Sequence, residues 1–268
     1  MKNLTSIRSP LFVPANRPDR FGKAATSGAD AVILDLEDAV AADAKVDART
    51  ALSCDFTTLP IIVRINANDT AWHGDDLKAV LGLPIAAVML PKSEDPAQIA
   101  AVVAALAGHA PILALVETAR GIANARTIAA LPGVSRLIFG SVDYCADLGC
   151  AHVREALLAA RCELVLASRL ASIAAPIDGV TTQLDDPDVT EGDARHARDL
   201  GMTGKLCIHP SQVDVVQEVF VPSAVEIDWA NRVLASGDGA TTVNGAMVDE
   251  PVRIRARTIL ASLPSKTK

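Results

Sequence analysis

Large aromatic side chains are scarce in this chain, with five Phe, two Trp and one Tyr among 268 residues. Its core must therefore be filled by Ala, Val, Ile and Leu, a composition suited to helices packed closely on a parallel sheet. Cysteine pairing is lacking as well. The five cysteines, Cys54, Cys145, Cys150, Cys162 and Cys207, are odd in number and form no C-x-x-C motif. This points away from a disulfide framework or a zinc site and toward the reducing cytoplasm. No run of about 18 apolar residues occurs, and Met1 to Arg8 carries no apolar h-region, so neither a membrane span nor an export signal is expected. Long basic runs are missing and the net charge is -7, which argues against a nucleic-acid partner. One basic spot remains, Arg17-Pro18-Asp19-Arg20-Phe21-Gly22-Lys23, scaled to a small anionic ligand. No G-x-G-x-x-G follows the first apolar run, which disfavours an open dinucleotide-binding sheet.

What the chain does have is rhythm. Short apolar runs recur at Pro10 to Pro14, Ala31 to Asp38, Ile61 to Asn66, Ala86 to Lys92, Ile112 to Thr118, Arg136 to Asp143, Pro176 to Val180 and Lys205 to Pro210, and Ala-rich helical patterns fill the intervals. Eight βα units predict a closed (β/α)8 TIM barrel over residues 1–222. Pro18 opens the first helix, Asp95-Pro96 caps the fourth, and residues 153–174 form the longest. Residues 223–268 are surplus to the barrel. They read as a C-terminal helical extension of two helices, Ser223 to Ala235 and Glu250 to Leu263, joined by a Gly-rich turn or small hairpin with Asn244-Gly245 at a tight reversal.

In such a barrel the reacting groups sit at the carboxyl ends of the strands. The runs end there in Asp35-Leu36-Glu37-Asp38, Arg64 with Asn66, Lys92, Glu117, Asp143 and His209. Any one carboxylate also fits a helix N-cap or a surface ion pair, and Asp38 and Thr118 stand just ahead of helical sequence as expected caps. Several carboxylates turned toward one rim need a positive centre. Glu117 and Asp143, expected at the ends of the adjacent fifth and sixth strands, suit Mg2+, with Mn2+ also admitted, because that ion takes one or two protein carboxylates and completes its shell with water and substrate oxygens. Arg64 reads as a catalytic cation for an oxyanion or a substrate carboxylate, or as a salt bridge to Glu37 or Asp38, or as both. Lys92 reads as a neutraliser of the acidic rim, His209 mainly as a structural residue, and Met247, Cys145 and Cys150 as packing.

These positions and their local strings resemble the citrate lyase β-subunit-like branch of the HpcH/HpaI aldolase family. The strings are Arg8-Ser9-Pro10-Leu11-Phe12-Val13-Pro14, Asp35-Leu36-Glu37-Asp38-Ala39-Val40, Arg64-Ile65-Asn66, Pro91-Lys92, Glu117-Thr118-Ala119-Arg120-Gly121, Gly140-Ser141-Val142-Asp143, Gly204-Lys205-Leu206-Cys207-Ile208-His209-Pro210 and Gly245-Ala246-Met247-Val248-Asp249. Together, and in this order, they span nearly the whole chain.

The resemblance implies a Mg2+-dependent lyase. Its substrate would be a 3-hydroxy-3-carboxyacyl-CoA of the citramalyl-, citryl- or malyl-CoA kind, cleaved to acetyl-CoA and a 2-oxo acid. It further implies Glu117 and Asp143 as metal ligands, Arg64 with Glu37 and Asp38 at the substrate, and Arg17 and Lys23 at the coenzyme A portion. Asp249 would be an acid or base supplied by a neighbouring subunit of a homo-oligomer, with a trimer favoured, although an N-cap ahead of Pro251 explains the same residue. Two alternatives stay open: a class II pyruvate aldolase that uses no coenzyme A, and a non-catalytic or complex-bound citrate lyase subunit working on an acyl-carrier thioester.

Overall fold

The eight apolar runs become eight strands: the first coincides with its run, the seventh begins and ends two residues earlier than its run, and the other six are shorter. A computed structural model of the chain describes residues 4–263. Residues 1–3 and 264–268, included in the two stretches read from the sequence, lie outside the described residues. The strands are β1 (Pro10–Pro14), β2 (Ala31–Asp35), β3 (Ile61–Arg64), β4 (Ala87–Leu90), β5 (Ile112–Val116), β6 (Val134–Phe139), β7 (Ala174–Asp178) and β8 (Gly204–Lys205). They form one parallel sheet in sequence order. Its two edges meet where Leu11 bridges Cys207, with Phe12 N–H donating to the Cys207 carbonyl at 2.9 Å and Cys207 N–H donating to the Pro10 carbonyl at 2.9 Å. The sheet thus closes on itself as a (β/α)8 barrel, and every residue of β2, β3, β4 and β5 is buried, as expected for strands covered on both faces.

The intervening helices are α1 (Phe21–Ala25), α2 (Lys45–Thr50), α3 (His73–Leu81), α4 (Pro96–Leu106), α5 (Ala119–Ala129), α6 (Ser141–Leu148), α7 (Arg154–Leu170), α8 (Pro187–Asp199) and α9 (Val213–Phe220). Their starts follow local chemistry. Asp95 accepts from Ala97 N–H ahead of Pro96, and Thr118 accepts from Gly121 N–H, each satisfying a donor that the first helical turn leaves open. Pro18 opens a 3-10 turn, Pro18–Arg20, that runs into α1.

Side chains alternate across each strand, and the alternation builds the barrel interior. Ala31 and Ile33, Ile62, Ala87 and Met89, Leu113 and Leu115, Ile138 and Ile177 share one buried cluster. The same parity carried upward puts Asp35, Arg64, Glu117 and Gly140 at the carboxyl-terminal mouth. At the opposite end Arg136 is buried and donates to the carbonyls of Leu4, Ile7 and Ala175 and to Thr203 Oγ1, which satisfies a guanidinium whose pKa burial pulls down to about 10.

Between sheet and helices lies a buried ionic triad. Asp178, at the end of β7, takes Arg161 Nε at 2.8 Å and Nη2 at 3.2 Å from α7, and Lys205 Nζ at 3.0 Å from β8. Burial alone would raise the Asp178 carboxyl, but Lys205 and Arg161 hold it below its usual range.

The chain divides at Gln217/Glu218, within α9. The second unit contains α10 (Ala224–Ala235), a two-stranded antiparallel hairpin of β9 (Thr241–Val243) and β10 (Ala246–Val248), and α11 (Glu250–Ala261). Ser223 and Glu226 form a capping box on α10. Asn244 and Gly245 both have positive φ, 52° and 78°, as a two-residue hairpin turn requires. The unit has its own core of Ala230, Val233, Val248 and Ala256, with Trp229 and Val252 packed against it. The expectation that Met247 is a packing residue is overturned: strand alternation turns Val248 inward, at 2% exposed, and leaves Met247 outward at 68%. Cys145 is buried and Cys150 half-buried. Among the described residues no helix is long and apolar enough to cross a membrane.

The triad generates a stability prediction. Asp178→Ala strands two buried cations without a counter-charge and costs about 3–5 kcal/mol. Denaturant unfolding of the variant measures it; a loss under about 1 kcal/mol means the triad is solvated.

Candidate functional site

Strand parity brings the candidate residues to one mouth, and the loops beyond the strands set their geometry. A cavity of about 270 Å³ opens there, and Phe12, Asp35, Arg64, Glu117, Phe139, Gly140, Ser141 and Asp143 are among its lining residues.

Glu117 follows β5 directly and is buried. Its Oε1 accepts the backbone N–H of Lys92 at 2.7 Å. That amide is aimed by an unusual backbone, since Lys92 has φ of 46°, in the left-handed region that non-glycine residues seldom enter. Across from it, Gly140 leaves the room that Glu117 needs: a Cβ there would lie 2.4 Å from Glu117 Cβ and 2.5 Å from Oε2. Burial first, then the charge of Glu37 and, with a smaller share, that of Asp143, push the Glu117 carboxyl up from 4.5 to about 8.

Asp143 is not at a strand end. β6 stops at Phe139, Gly140 turns the chain, and Asp143 falls in the first turn of α6. A carboxylate there also meets the positive end of the helix dipole. The adjacency of β5 and β6 still brings Asp143 to the same cavity as Glu117.

Arg64 ends β3 and is clamped by two bonds to Asp35, Nε to Oδ1 and Nη2 to Oδ2, both 2.6 Å. Its Nη1 lies 2.8 Å from Glu37 Oε2 and 3.9 Å from Asp38 Oδ2, and its plane sits 4.9 Å from the Phe12 ring centroid. Of the two readings of Arg64, the ion pair is present, with Asp35 as its bidentate partner; the guanidinium also lines the cavity. These carboxylates raise the Arg64 pKa despite the opposing effect of burial.

Asp35 additionally accepts from Glu37 N–H at 2.9 Å and Ala39 N–H at 3.1 Å. It performs the local capping expected of Asp38, whose side chain is 63% exposed and caps no helix: α2 begins only at Lys45, after a 3-10 turn, Ala42–Ala44. The loop carrying Glu37 is pinned from below by Lys45 Nζ, which donates to the Leu36 and Glu37 carbonyls at 2.7 Å each, and by Asn66 Nδ2, which donates to the Leu36 carbonyl at 3.0 Å.

Glu37 is buried and pushed up from 4.5 to about 7, chiefly by burial, with Arg64 opposing. Its Oε2 contacts Arg64 but has no aligned hydrogen-bond donor. Burial would lower the Lys92 ammonium, but Glu117, Glu37, Asp143 and Asp38 outweigh it and raise it, in keeping with a role in neutralising the rim.

Other expected residues lie elsewhere. Arg17 is exposed and paired with Asp19 at 2.8 Å, and Lys23 is exposed on α1; neither lines the cavity. His209 caps the 3-10 turn Pro210–Gln212 through Nδ1, which accepts from Ser211 N–H at 3.2 Å. In the second unit Asp249 is the N-cap of α11, accepting from Val252 N–H at 3.4 Å.

Sequence reasoning missed Asp35 as the clamp on Arg64, although the alternation 31, 33, 35 signals an inward carboxylate. It also missed Lys45, whose lysine in a helical pattern reads as solvated surface.

A divalent cation fits this donor set. Asp35, Glu37, Asp38, Glu117 and Asp143 crowd around Arg64, Lys92 and Lys45, and Glu37 Oε2, 2.8 Å from Arg64 Nη1, has no aligned hydrogen-bond donor. Among the described residues no group of three or more His, Cys, Asp or Glu forms a metal cage. Two carboxylates beside an open cavity suit an ion that keeps waters and substrate oxygens.

The family model for HpcH/HpaI aldolase/citrate lyase matches residues 8–210. A citrate lyase subunit beta-like protein of Deinococcus radiodurans is 40% identical, covering 95% of this chain and 96% of its own length. A (3S)-malyl-CoA thioesterase of Cereibacter sphaeroides is 36% identical, covering 95% and 94% respectively. The crystal structure of CitE from Mycobacterium tuberculosis in complex with magnesium, acetoacetate and coenzyme A superposes with a TM-score of 0.86 at 38% identity, over 97% of this chain and 99% of that one. With residues 8–210 matched by the family model and most of its length covered by relatives of 36–40% identity, the chain belongs to the HpcH/HpaI aldolase/citrate lyase family.

Proposed function

We propose that the protein is a magnesium-dependent carbon-carbon lyase that cleaves a 3-hydroxy-3-carboxyacyl-CoA into acetyl-CoA and a 2-oxo acid, with Glu117 and Asp143 as the metal ligands. The observation that carries this reading is the convergence of those two carboxylates and Arg64 on one cavity. The magnesium, acetoacetate and coenzyme A bound by the 38% identical relative support the substrate class.

Glu117 and Asp143 would hold a divalent ion, which would supply Lewis-acid stabilisation of developing oxygen charge. The chain's own groups do the rest. Lys92 N–H fixes the rotamer of Glu117. Asp35 locks the Arg64 plane by two bonds, so Nη1 is presented without further ordering to a substrate carboxylate or oxyanion. Phe12 and Phe139 supply apolar wall that thins out water around these charges. As the carbon-carbon bond breaks, the 3-hydroxyl group releases its proton to water and its oxygen becomes the keto oxygen; Asp249 of a neighbouring copy, the trimer being the favoured assembly, gives a proton to the enolate carbon and regains one from water. Arg17 and Lys23 take the phosphates of coenzyme A at the start of α1.

A second reading, hydrolysis of the thioester by the same site, is favoured by the 36% identical malyl-CoA thioesterase. Product analysis separates the two, since cleavage yields acetyl-CoA and hydrolysis yields free coenzyme A.

The metal assignment predicts that Glu117→Ala and Asp143→Ala each lower kcat/KM for thioester cleavage at least about 100-fold, more than the loss of an outer partner costs a metal site; retained cleavage in either variant removes that residue from the site.

A pH prediction follows from Glu117. Its folded pKa of about 8 lies above 4.5, so in metal-free protein the folded state holds a proton that the unfolded state has released. This contribution to stability is complete below 4.5 and is lost as pH rises through about 8. Thermal unfolding in chelator should therefore show wild-type stability declining over that window, a flatter profile for Glu117→Gln, and recovery on adding Mg2+. A wild-type profile identical to that of the variant contradicts the shift.

If Asp249 acts across subunits, Glu117→Ala and Asp249→Asn are each inactive alone, and mixed oligomers of the two regain activity, because some sites then combine intact Glu117 with intact Asp249. Mixing without recovery places both groups on one chain or removes Asp249 from the reaction.

A further inference from the structure

We propose that Val180, Leu206, Ile208 and Phe12 form a subsite for a methyl or similarly small alkyl group on the carbon that is cleaved, so that the 2-oxo acid released carries an uncharged alkyl chain. The inference rests on the lyase reading for the identity of that carbon, and it narrows the substrate class to the citramalyl-CoA kind. The eight strands run in sequence order round a closed ring, so strands four places apart stand opposite each other. Asp35 on β2, Arg64 on β3, Glu117 after β5 and Asp143 after β6 make one charged arc of the cavity wall. The remaining strands make an apolar one: Val180 just beyond β7, Leu206 and Ile208 just beyond β8, and Phe12 on β1 all line the cavity.

Core packing accounts for three of these four residues. Val180 and Phe12 pack against the barrel core, and Leu206 is buried in it. Ile208 is different, since it is 39% exposed. Its N–H donates to Gln212 Oε1 at 2.9 Å, which fixes the main chain and leaves an aliphatic side chain on the cavity wall. Apolar surface of this kind orients and selects small ligands when a few polar groups stand across from it.

The carbon that is cleaved carries a hydroxyl, a carboxylate, the thioester arm and one further group, which is hydrogen in malyl-CoA, methyl in citramalyl-CoA and carboxymethyl in citryl-CoA. The hydroxyl and the carboxylate are drawn to the charged arc. The thioester arm continues into coenzyme A, far too large for a cavity of about 270 Å³, and leaves through the open mouth. The last group is left to the apolar arc. Hydrogen leaves that surface uncovered, methyl covers it, and carboxymethyl sets a second carboxylate against it. Among the described residues that line the cavity, Arg64 is the only Lys, Arg or His, and the first carboxylate takes its Nη1. Lys92 follows β4, opposite β8, among Glu117, Glu37, Asp143 and Asp38. His209, next to Ile208, holds its Nδ1 on Ser211 Oγ at 2.7 Å. A carboxylate taken from water without a partner is costly.

The full-length protein with Mg2+ is assayed for acetyl-CoA release from the three thioesters, and binding of pyruvate, glyoxylate and oxaloacetate is measured separately by calorimetry. Wild type should favour citramalyl-CoA over malyl-CoA in kcat/KM by about tenfold or more, the worth of one methyl in an apolar pocket. It should favour citramalyl-CoA over citryl-CoA by about 100-fold or more, because the second carboxylate is unpaired. Ile208→Arg gives that carboxylate a partner and should move the citryl-to-citramalyl ratio up about tenfold or more. Ile208→Ala should narrow the preference for methyl over hydrogen; a purely structural role for Ile208 would lower all three rates alike and leave the ratios fixed. Circular dichroism checks that both variants are folded. The binding arm separates the two readings: if no thioester is cleaved but pyruvate binds more tightly than oxaloacetate and glyoxylate, the lyase reading fails and the subsite stands. The proposal is overturned if citryl-CoA or malyl-CoA is cleaved as well as citramalyl-CoA, if both Ile208 variants keep the wild-type ratios, or if the protein neither cleaves a thioester nor binds pyruvate in preference to the other two acids.

Discussion

The site depends on the alternation of side chains along parallel strands. Because every second residue points inward, one apolar column built from Ala31, Ile33, Ile62, Met89, Leu113 and Leu115 fixes which later residues can face the mouth. Asp35, Arg64 and Glu117 continue that column. A register slip of one residue would turn them outward toward the helices, so the hydrophobic core specifies the positions of the ionisable groups as well as the stability of the barrel.

Confinement then gives those groups their character. Carboxylates drawn together on a rigid rim cannot all ionise cheaply, and the structure meets the difficulty in two ways. Asp35 is neutralised outright by the two-bond grip on Arg64. Glu117 is left without a comparable partner and is pushed up to about 8. One acid is spent on holding a cation still, while the other stays available to an incoming one. The buried Asp178 triad on the outer side of the sheet shows the contrasting outcome: two fixed cations keep the carboxyl ionised, and the group has a structural role.

Much of this was legible in the sequence. The eight strands, the closed barrel, the caps at Asp95 and Thr118, and the Asn244-Gly245 hairpin rest on local patterns that the tertiary structure has no reason to override. Strand ends were read too far along, because apolar residues such as Val142 continue past the last ladder bond; Asp143 consequently belongs to a helix start. Asp38 was read as a cap from its neighbours alone, while the loop is organised by Asp35 from the strand below and by Lys45 and Asn66. Those partners are far apart in sequence, and periodicity carries no information about such pairings. Met247 was misassigned for a related reason, since the parity of a three-residue strand is set by the hairpin turn.

The grip on Glu117 comes from the main chain of Lys92, in an uncommon left-handed conformation. A side-chain replacement there can alter the charge over the mouth, yet it leaves the amide that orients the acid in place. The two duties of this position are therefore separable: its ammonium can be retuned to suit a different anion without disturbing the acid beneath, which gives the scaffold one place where selectivity can drift while the orientation of Glu117 is preserved.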